Sequence, residues 1–104
     1  RPARLAGAEA RLATRSPARR RIAEGFGAEI VADAAEARAR WPRGADCVIE
    51  CAGVAETARE APRLAARGGR AVIVGVMPAG ERVEWEPFDL LFREVALRTA
   101  FLNP

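Results

Sequence analysis

The sequence predicts an α/β fold built on a mostly parallel β-sheet, and three features of the chain support this assignment. Short apolar stretches alternate with segments of helical composition along all 104 residues. Glycine or proline residues separate these segments, as at the ends of helices. Two apolar stretches are continuous rather than alternating, which is typical of strands covered on both faces. Together these features indicate βαβ units with right-handed crossovers and helices on both faces of the sheet.

The first part of the chain carries clear boundary signals. Residues 1–8 have the composition of a helix tail that stops at Gly7, and residues 10–14 are predicted to form a short strand. Ser16 before Pro17 predicts a helix N-cap followed by a proline at the first helical position. This helix is predicted to end near Phe26, with Gly27 as its cap and with an inward-facing stripe of Ile22, Ala23 and Phe26.

The next two elements are shorter. Residues 29–32 are predicted to form a strand, and Asp33 with Glu36 has the spacing of a capping box for a helix that runs to about Arg40. Trp41 and Pro42 then end this helix.

The second part of the chain carries the two continuous apolar runs. Residues 47–51 and 70–76 are predicted to be buried strands, separated by a helix over residues 55–66 that Pro62 interrupts and that Gly68 and Gly69 stop. The remaining predicted elements are a short strand at 82–85, a short helix at 88–92 and a last strand at 97–102.

Composition excludes several classes of protein. All seventeen basic residues are Arg, and the chain has no His, so it cannot form a Ser-His-acid triad or a His-containing metal site by itself. Residues 1–43 carry ten Arg and five acids, whereas residues 44–104 carry seven Arg and nine acids. A nucleic-acid contact is one interpretation of the basic part, but its only aromatic residues are Phe26 and Trp41, so solvated helix surfaces are favoured.

The amino-acid sequences of four segments resemble the coenzyme-binding domain of the medium-chain dehydrogenase/reductase superfamily, in its zinc-type alcohol, polyol and threonine dehydrogenase branches. The segments follow the family order, and they are SPARRRIAEGFGAEIV at 16–31, GADCVIECAG at 44–53, GGRAVIVGV at 68–76 and RTAFLNP at 98–104. The resemblance implies an incomplete Rossmann-like, doubly wound parallel sheet whose complete strand order is 3-2-1-4-5-6.

The same resemblance implies that the central strand and the glycine loop are absent. In a Rossmann unit the ribose-binding acid lies about 20 residues after the glycine loop, and the matching position here is Thr14. The loop would therefore lie before Arg1, and residues 1–104 would be part of a dinucleotide-binding domain in a longer chain. Because no signal-type stretch follows Arg1 and only two cysteines are present, that protein is expected to be cytoplasmic.

The residues after the first predicted strand favour NADP over NAD as the cofactor. Thr14 replaces the acid that would repel a 2′-phosphate, and the arginines Arg15, Arg19 and Arg20 offer forked donors to that group. The N-terminus of the helix that Ser16 caps adds a favourable dipole. The alternative is that these arginines are solvent-exposed beside a position that tolerates Thr, and that the cofactor is NAD.

The carboxyl ends of the other strands supply the remaining candidate cofactor contacts, because doubly wound folds bind ligands at that edge. The resemblance places Cys51, Ala52 and Gly53 near the nicotinamide-side ribose, and Val74, Gly75 and Val76 against the nicotinamide and its carboxamide. Ala100 and Leu102 match positions with a similar role. A plain tight turn at 51–53 and ordinary sheet core at 74–76 are the alternatives.

The acid and the thiols inside the apolar run have less specific interpretations. Glu50 could act as an acid or base, but a structural hydrogen-bond acceptor at the strand end is favoured. Cys47 and Cys51 would point to one face of a strand about 13 Å apart, too far for a disulfide, and are predicted to be buried core thiols.

The resemblance implies that the parent protein transfers a hydride between NADP or NAD and a small alcohol or polyol. In that family a zinc ion polarises the substrate oxygen, but this chain offers no ligands for it. A catalytically silent nucleotide-sensing or protein-binding module is the alternative. Residues 81–85 alternate charged and large apolar side chains, which together with the resemblance predicts self-pairing of this edge strand in a homo-oligomer. The alternative is a solvent-exposed hairpin arm with Trp85 folded back on its own domain.

Overall fold

The computed structural model describes residues 11–13, 16–25 and 29–101, which fall into two compact units divided after Arg40. The first unit contains β1 (Arg11–Ala13), α1 (Pro17–Gly25), β2 (Glu29–Val31) and α2 (Ala34–Arg40). The second contains β3 (Ala45–Glu50), α3 (Ala55–Leu64), β4 (Ala65–Ile73), α4 (Pro87–Arg93) and β5 (Ala96–Thr99). Within the described residues no helix is both long enough and apolar enough to cross a membrane.

All observed strand pairings are parallel, which confirms the predicted fold class. β1 pairs with β2 in one sheet, and the second sheet has the order β3-β4-β5. In the family order 3-2-1-4-5-6, β1 and β2 match strands 2 and 3, and β3, β4 and β5 match strands 4, 5 and 6. No strand of the described residues matches strand 1. The fold is therefore Rossmann-like and incomplete, as the resemblance implies.

Local capping signals in the first unit form as predicted. Ser16 Oγ accepts a hydrogen bond from Arg19 N at 3.3 Å, which caps α1. Asp33 Oδ1 accepts from Glu36 N at 2.9 Å, and Glu36 Oε2 accepts from Ala32 N at 3.0 Å, one residue before the position expected in a capping box.

The predicted inward stripe of α1 is wrong for Ile22, whereas Ala23 is half-buried. Ile22 is 63% exposed and no residue of α1 is buried, because the described part of this unit supplies only a two-stranded sheet beneath the helix. The predicted helix tail at 1–8, Phe26 and the cap at Gly27 lie outside the described residues.

Among the described residues β3 lies at the border of its sheet, and only one of its faces is covered. Its Glu50 side chain is buried on the face toward α3, whereas Ile49 on the opposite face is 60% exposed. Cys47 is half-buried and Cys51 is exposed, so the prediction of two buried core thiols is wrong. The physical reason is that α3 packs on one face of this sheet and no described element covers Ile49 on the other.

β4 starts earlier and ends earlier than the predicted strand over 70–76. Ala45 of β3 pairs with Ala65 of β4, and Cys47 pairs with Arg70, so the register between the two strands shifts. Gly68 and Gly69 lie in this irregularity inside β4 and do not stop the helix. A Cβ at Gly69 would lie 2.9 Å from Asp46 O, and only glycine allows this approach of the two strands.

The prediction of a strand over residues 82–85 is wrong, because the structure of the single chain has no strand there. Residues 81–86 form no ladder with a described strand, because Trp85 turns back and its Nε1 donates to Ala58 O in α3 at 3.1 Å. The predicted last strand over 97–102 is observed as β5 and ends at Thr99. Self-pairing of residues 81–85 in a homo-oligomer stays a prediction, with Trp85 already committed to an internal hydrogen bond.

Arg93 joins α4 to the end of α3. Its guanidinium donates to Ala65 O at 2.7 Å and to Pro62 O at 3.0 Å, which are carbonyls at the C-terminus of α3 where helices lack partners. The same group holds Asp89 through two hydrogen bonds of 2.9 and 2.7 Å. The hydrogen bond from Arg93 lowers the pKa of Asp89, and the hydrogen bond to Asp89 raises the pKa of Arg93.

Candidate functional site

The carboxyl ends of β3, β4 and β5 lie side by side. Glu50 pairs with Ile73, and Ile73 pairs with Thr99, so the three strands end at one level of the sheet. Ala100 N donates to Ile73 O at 3.0 Å and continues the β5 ladder by one residue. The segments that follow the strands therefore leave the sheet at the same edge, where doubly wound folds bind their ligands.

The turns after β3 and β4 touch each other through their backbones. Gly53 has φ +74°, and a Cβ there would lie 2.7 Å from Val76 O. A Cβ on Gly75 would lie 2.6 Å from Gly53 Cα. The two glycines therefore allow one turn to pack against the other, a role additional to the place near the nicotinamide-side ribose that the resemblance gave Gly53.

The outer surface of this edge is formed by small and apolar side chains. Cys51, Ala52 and Ala100 are exposed, and Val76 is 72% exposed. Val74 is half-buried beside them, just past the end of β4. Apolar side chains left in water at the ligand-binding edge of such a sheet form a surface that an aromatic ring can cover.

Glu50 lies beneath this edge as a hydrogen-bond acceptor, as the sequence favoured. Its Oε2 accepts from Gly53 N at 3.0 Å and from the hydroxyl of Thr57 in the first turn of α3. Its main-chain oxygen accepts from Val74 N and Gly75 N, both at 2.9 Å. Sequence reasoning missed Thr57, because no local periodicity pairs residues seven positions apart across a strand end and a helix start.

The arginine cluster proposed to read the 2′-phosphate belongs to the first unit. Arg19 and Arg20 are exposed in the first turn of α1, directly after the residue that caps it. Arg20 Nε lies 3.8 Å from Glu24 Oε2, an exposed ion pair along the helix. Thr14, Arg15 and Leu102 lie outside the described residues.

The described residues do not assemble a metal site. Within the ranges that the structure describes, no three side chains of the His, Cys, Asp or Glu type come close enough to hold a metal ion. Cys47 and Cys51 are both free thiols. The residues present therefore do not fit a zinc ion.

Comparison with known proteins gives one family across nearly the whole chain. The family model described as zinc-binding dehydrogenase matches residues 2–104. The zinc-type alcohol dehydrogenase-like protein YdjJ of Escherichia coli K12 is 38% identical over 87 residues, which are 77% of this chain and 24% of that protein. The S-(hydroxymethyl)glutathione dehydrogenase of Paracoccus denitrificans is 39% identical over 59 residues, 56% of this chain and 16% of that protein.

Solved structures agree with this assignment. A protein of Sinorhizobium meliloti 1021 assigned as a zinc-binding dehydrogenase, whose crystal structure contains NADP, superposes with a TM-score of 0.87 at 49% identity, covering 99% of this chain and 33% of that one. The 2R,3R-butanediol dehydrogenase of Bacillus subtilis superposes with a TM-score of 0.80 at 30% identity, covering 94% of this chain and 30% of that one. The chain thus spans a third or less of the length of these relatives.

Proposed function

Because this chain belongs to the zinc-binding dehydrogenase family, we propose that it is the cofactor-binding part of an oxidoreductase that transfers a hydride between NADP or NAD and a small alcohol or polyol. The names of two relatives, a butanediol dehydrogenase and a hydroxymethylglutathione dehydrogenase, support a hydroxyl-bearing substrate. The observation that carries the proposal is the single carboxyl edge at which Glu50, Ile73 and Thr99 pair and from which the three following segments leave.

The exposed residues at this edge suit a dinucleotide. Ala52 and Ala100 leave room for it, and Val76 offers an apolar surface to the nicotinamide. The bound cofactor supplies or accepts the hydride, and the residues of this chain bind it, orient it and cover one side of its ring.

Residues 1–104 form, in this proposal, one part of a longer dinucleotide-binding domain. The central strand and the glycine loop would belong to the rest of that longer chain. Any zinc ligands would belong to the rest of the protein, because the described residues do not provide them.

Cofactor binding by the full-length protein tests the proposal. Ala52→Leu places a larger side chain on the exposed turn after β3, and we expect it to weaken the binding of NADPH or NADH by about tenfold in a calorimetric titration. Ala79→Leu, in the exposed turn at 78–80, is the matched control and should bind as the wild type does. Equal affinities for the two variants would contradict a cofactor site at this edge.

Turnover separates the dehydrogenase from the silent module. The full-length protein is incubated with oxidised cofactor and a series of alcohols and polyols, and reduced nicotinamide is measured. Formation of the reduced cofactor supports the dehydrogenase, whereas binding without turnover of any compound in the series favours a nucleotide-sensing module.

A preference for NADP is part of the proposal. It is supported by Thr14 in place of the ribose-binding acid, by the exposed Arg19 and Arg20, and by the NADP in the Sinorhizobium meliloti structure, which is 49% identical to this chain. Guanidinium groups match the geometry of phosphate oxygens, and the start of α1 adds the positive end of its dipole.

Charge reversal at Arg15 tests this preference. In the full-length protein, Arg15→Glu is expected to weaken NADPH binding by about 2 kcal/mol and to leave NADH binding unchanged, because a carboxylate repels only the 2′-phosphate. Arg21→Glu, an exposed arginine of α1 outside the proposed cluster, is the matched control for net charge. The same loss for both cofactors would contradict the assignment.

A further inference from the structure

Glu50 is the buried charged residue of the described chain. It is 5% exposed, although it ends a border strand whose neighbour Ile49 is largely exposed. Taking a carboxylate out of water is unfavourable unless hydrogen bonds compensate for the lost hydration. The position of its partners therefore shows what this acid holds together.

Those partners come from three elements that meet at the cofactor edge. Oε2 accepts from Gly53 N in the turn after β3 and from the Thr57 hydroxyl in the first turn of α3. The main-chain oxygen of Glu50 accepts from Val74 N and Gly75 N in the turn after β4. One residue thus fixes the end of β3, the start of α3 and the exit of β4.

The second carboxylate oxygen is buried and has no hydrogen-bond partner within the described residues. It lies against Gly75, where an added Cβ would be 2.6 Å from it. An acid optimised for stability alone would satisfy both oxygens or would be replaced by an apolar side chain. The side-chain hydrogen bonds of Glu50 therefore converge on Oε2, which ties the turn after β3 to the first turn of α3.

We propose that Glu50 and Thr57 form a positioning pair that sets the two cofactor-contacting turns, residues 51–53 and 74–76, in their binding conformation. This inference rests on the proposed function of that edge. Neither residue contacts the cofactor in it: Glu50 lies below the turns, and Thr57 acts through the Glu50 carboxylate.

The pair acts by reducing the conformational entropy of the two turns in the unliganded protein. Backbone that is already held in the bound conformation loses less entropy on binding. Without the Thr57 hydroxyl, Oε2 retains the Gly53 amide but loses its tie to α3, so the turn at 51–53 samples other conformations. Cofactor affinity then falls in proportion to the population of the competent turn.

Thr57→Val tests the pair, because valine has nearly the shape of threonine and lacks the hydroxyl. In the full-length protein we expect it to weaken NADPH binding by about fivefold to tenfold, while the melting temperature falls by only a few degrees, because Oε2 loses one hydrogen bond and keeps the one from Gly53 N. Thr57→Ser, which keeps the hydroxyl, is the matched control and should restore affinity.

Glu50→Gln and the double variant complete the cycle. If both residues act through one hydrogen bond, the loss of affinity in the Glu50→Gln, Thr57→Val double variant will be smaller than the product of the two single losses. Wild-type affinity in Thr57→Val, or a loss of affinity that follows a matching loss of melting temperature, overturns the positioning role. Failure of the wild-type protein to bind either dinucleotide overturns the proposed function itself.

Discussion

Gly75→Ala is expected to destabilise the protein by about 3 kcal/mol and to abolish measurable cofactor binding. The new Cβ would lie 2.6 Å from Gly53 Cα and from Glu50 Oε1. The Gly53 atoms belong to the backbone and cannot rotate away, so the turns after β3 and β4 must separate. Urea unfolding and a calorimetric NADPH titration of the full-length protein measure the two effects.

Gly25→Ala is the matched control for this substitution. A Cβ at Gly25 meets nothing within 4 Å, and the backbone there is not left-handed. We expect it to leave both measurements near wild type, or to stabilise α1 slightly by reducing the freedom of the unfolded chain. A Gly75→Ala protein as stable as the Gly25→Ala protein would contradict the close contact between the two turns.

Arg93→Ala is expected to lower the free energy of unfolding by about 2 to 3 kcal/mol. The substitution removes the donors to Ala65 O and Pro62 O and leaves Asp89 without its guanidinium partner. Arg93→Lys keeps the charge but not the planar fork, so we expect it to recover only part of the loss. Equal stability of the wild-type and Arg93→Ala proteins in urea would contradict this role.

The Arg93–Asp89 pair also predicts how stability depends on pH. Its hydrogen bonds hold the pKa of Asp89 below its ordinary value in the folded protein. The pair therefore contributes fully above the pKa of an unfolded aspartate, about 3.9, and its contribution is lost as the pH falls through the lower folded pKa. The difference in stability between wild type and Asp89→Asn should shrink below about pH 4 in the same unfolding assay.

Much of the fold could be predicted from short-range signals. Two helix starts could be located in this way, at Ser16 and at Asp33. Each of these side chains accepts a hydrogen bond from the backbone amide three residues later. The parallel strands follow from the alternation of strands and helices, which leaves few other topologies. The observed end of α3 and start of β4 differ from the predicted ones because Gly68 and Gly69 are typical of a helix end. Here both lie inside β4, and Gly69 allows β4 to pass close to β3.

Part of the candidate site could also be predicted from the sequence, and part could not. The turns at 51–53 and 74–76 could be located from sequence, because residues after parallel strands gather at one edge. The bond from Glu50 to Thr57 could not, since it depends on where α3 starts relative to the end of β3. The exposure of Cys51 and Ile49 was also hidden, because burial depends on which elements cover a strand.

The sequence by itself determined the family, the parallel α/β class and the segments that form the cofactor edge. Each of these depends on local patterns of turn, cap and apolar residues that the chain order carries directly. Only the tertiary structure decided that Trp85 bonds to Ala58, that Arg93 holds the end of α3 and that Gly75 packs against Gly53. These contacts join residues 22 to 31 positions apart, and their geometry is set by the packing of whole elements rather than by any pattern along the chain.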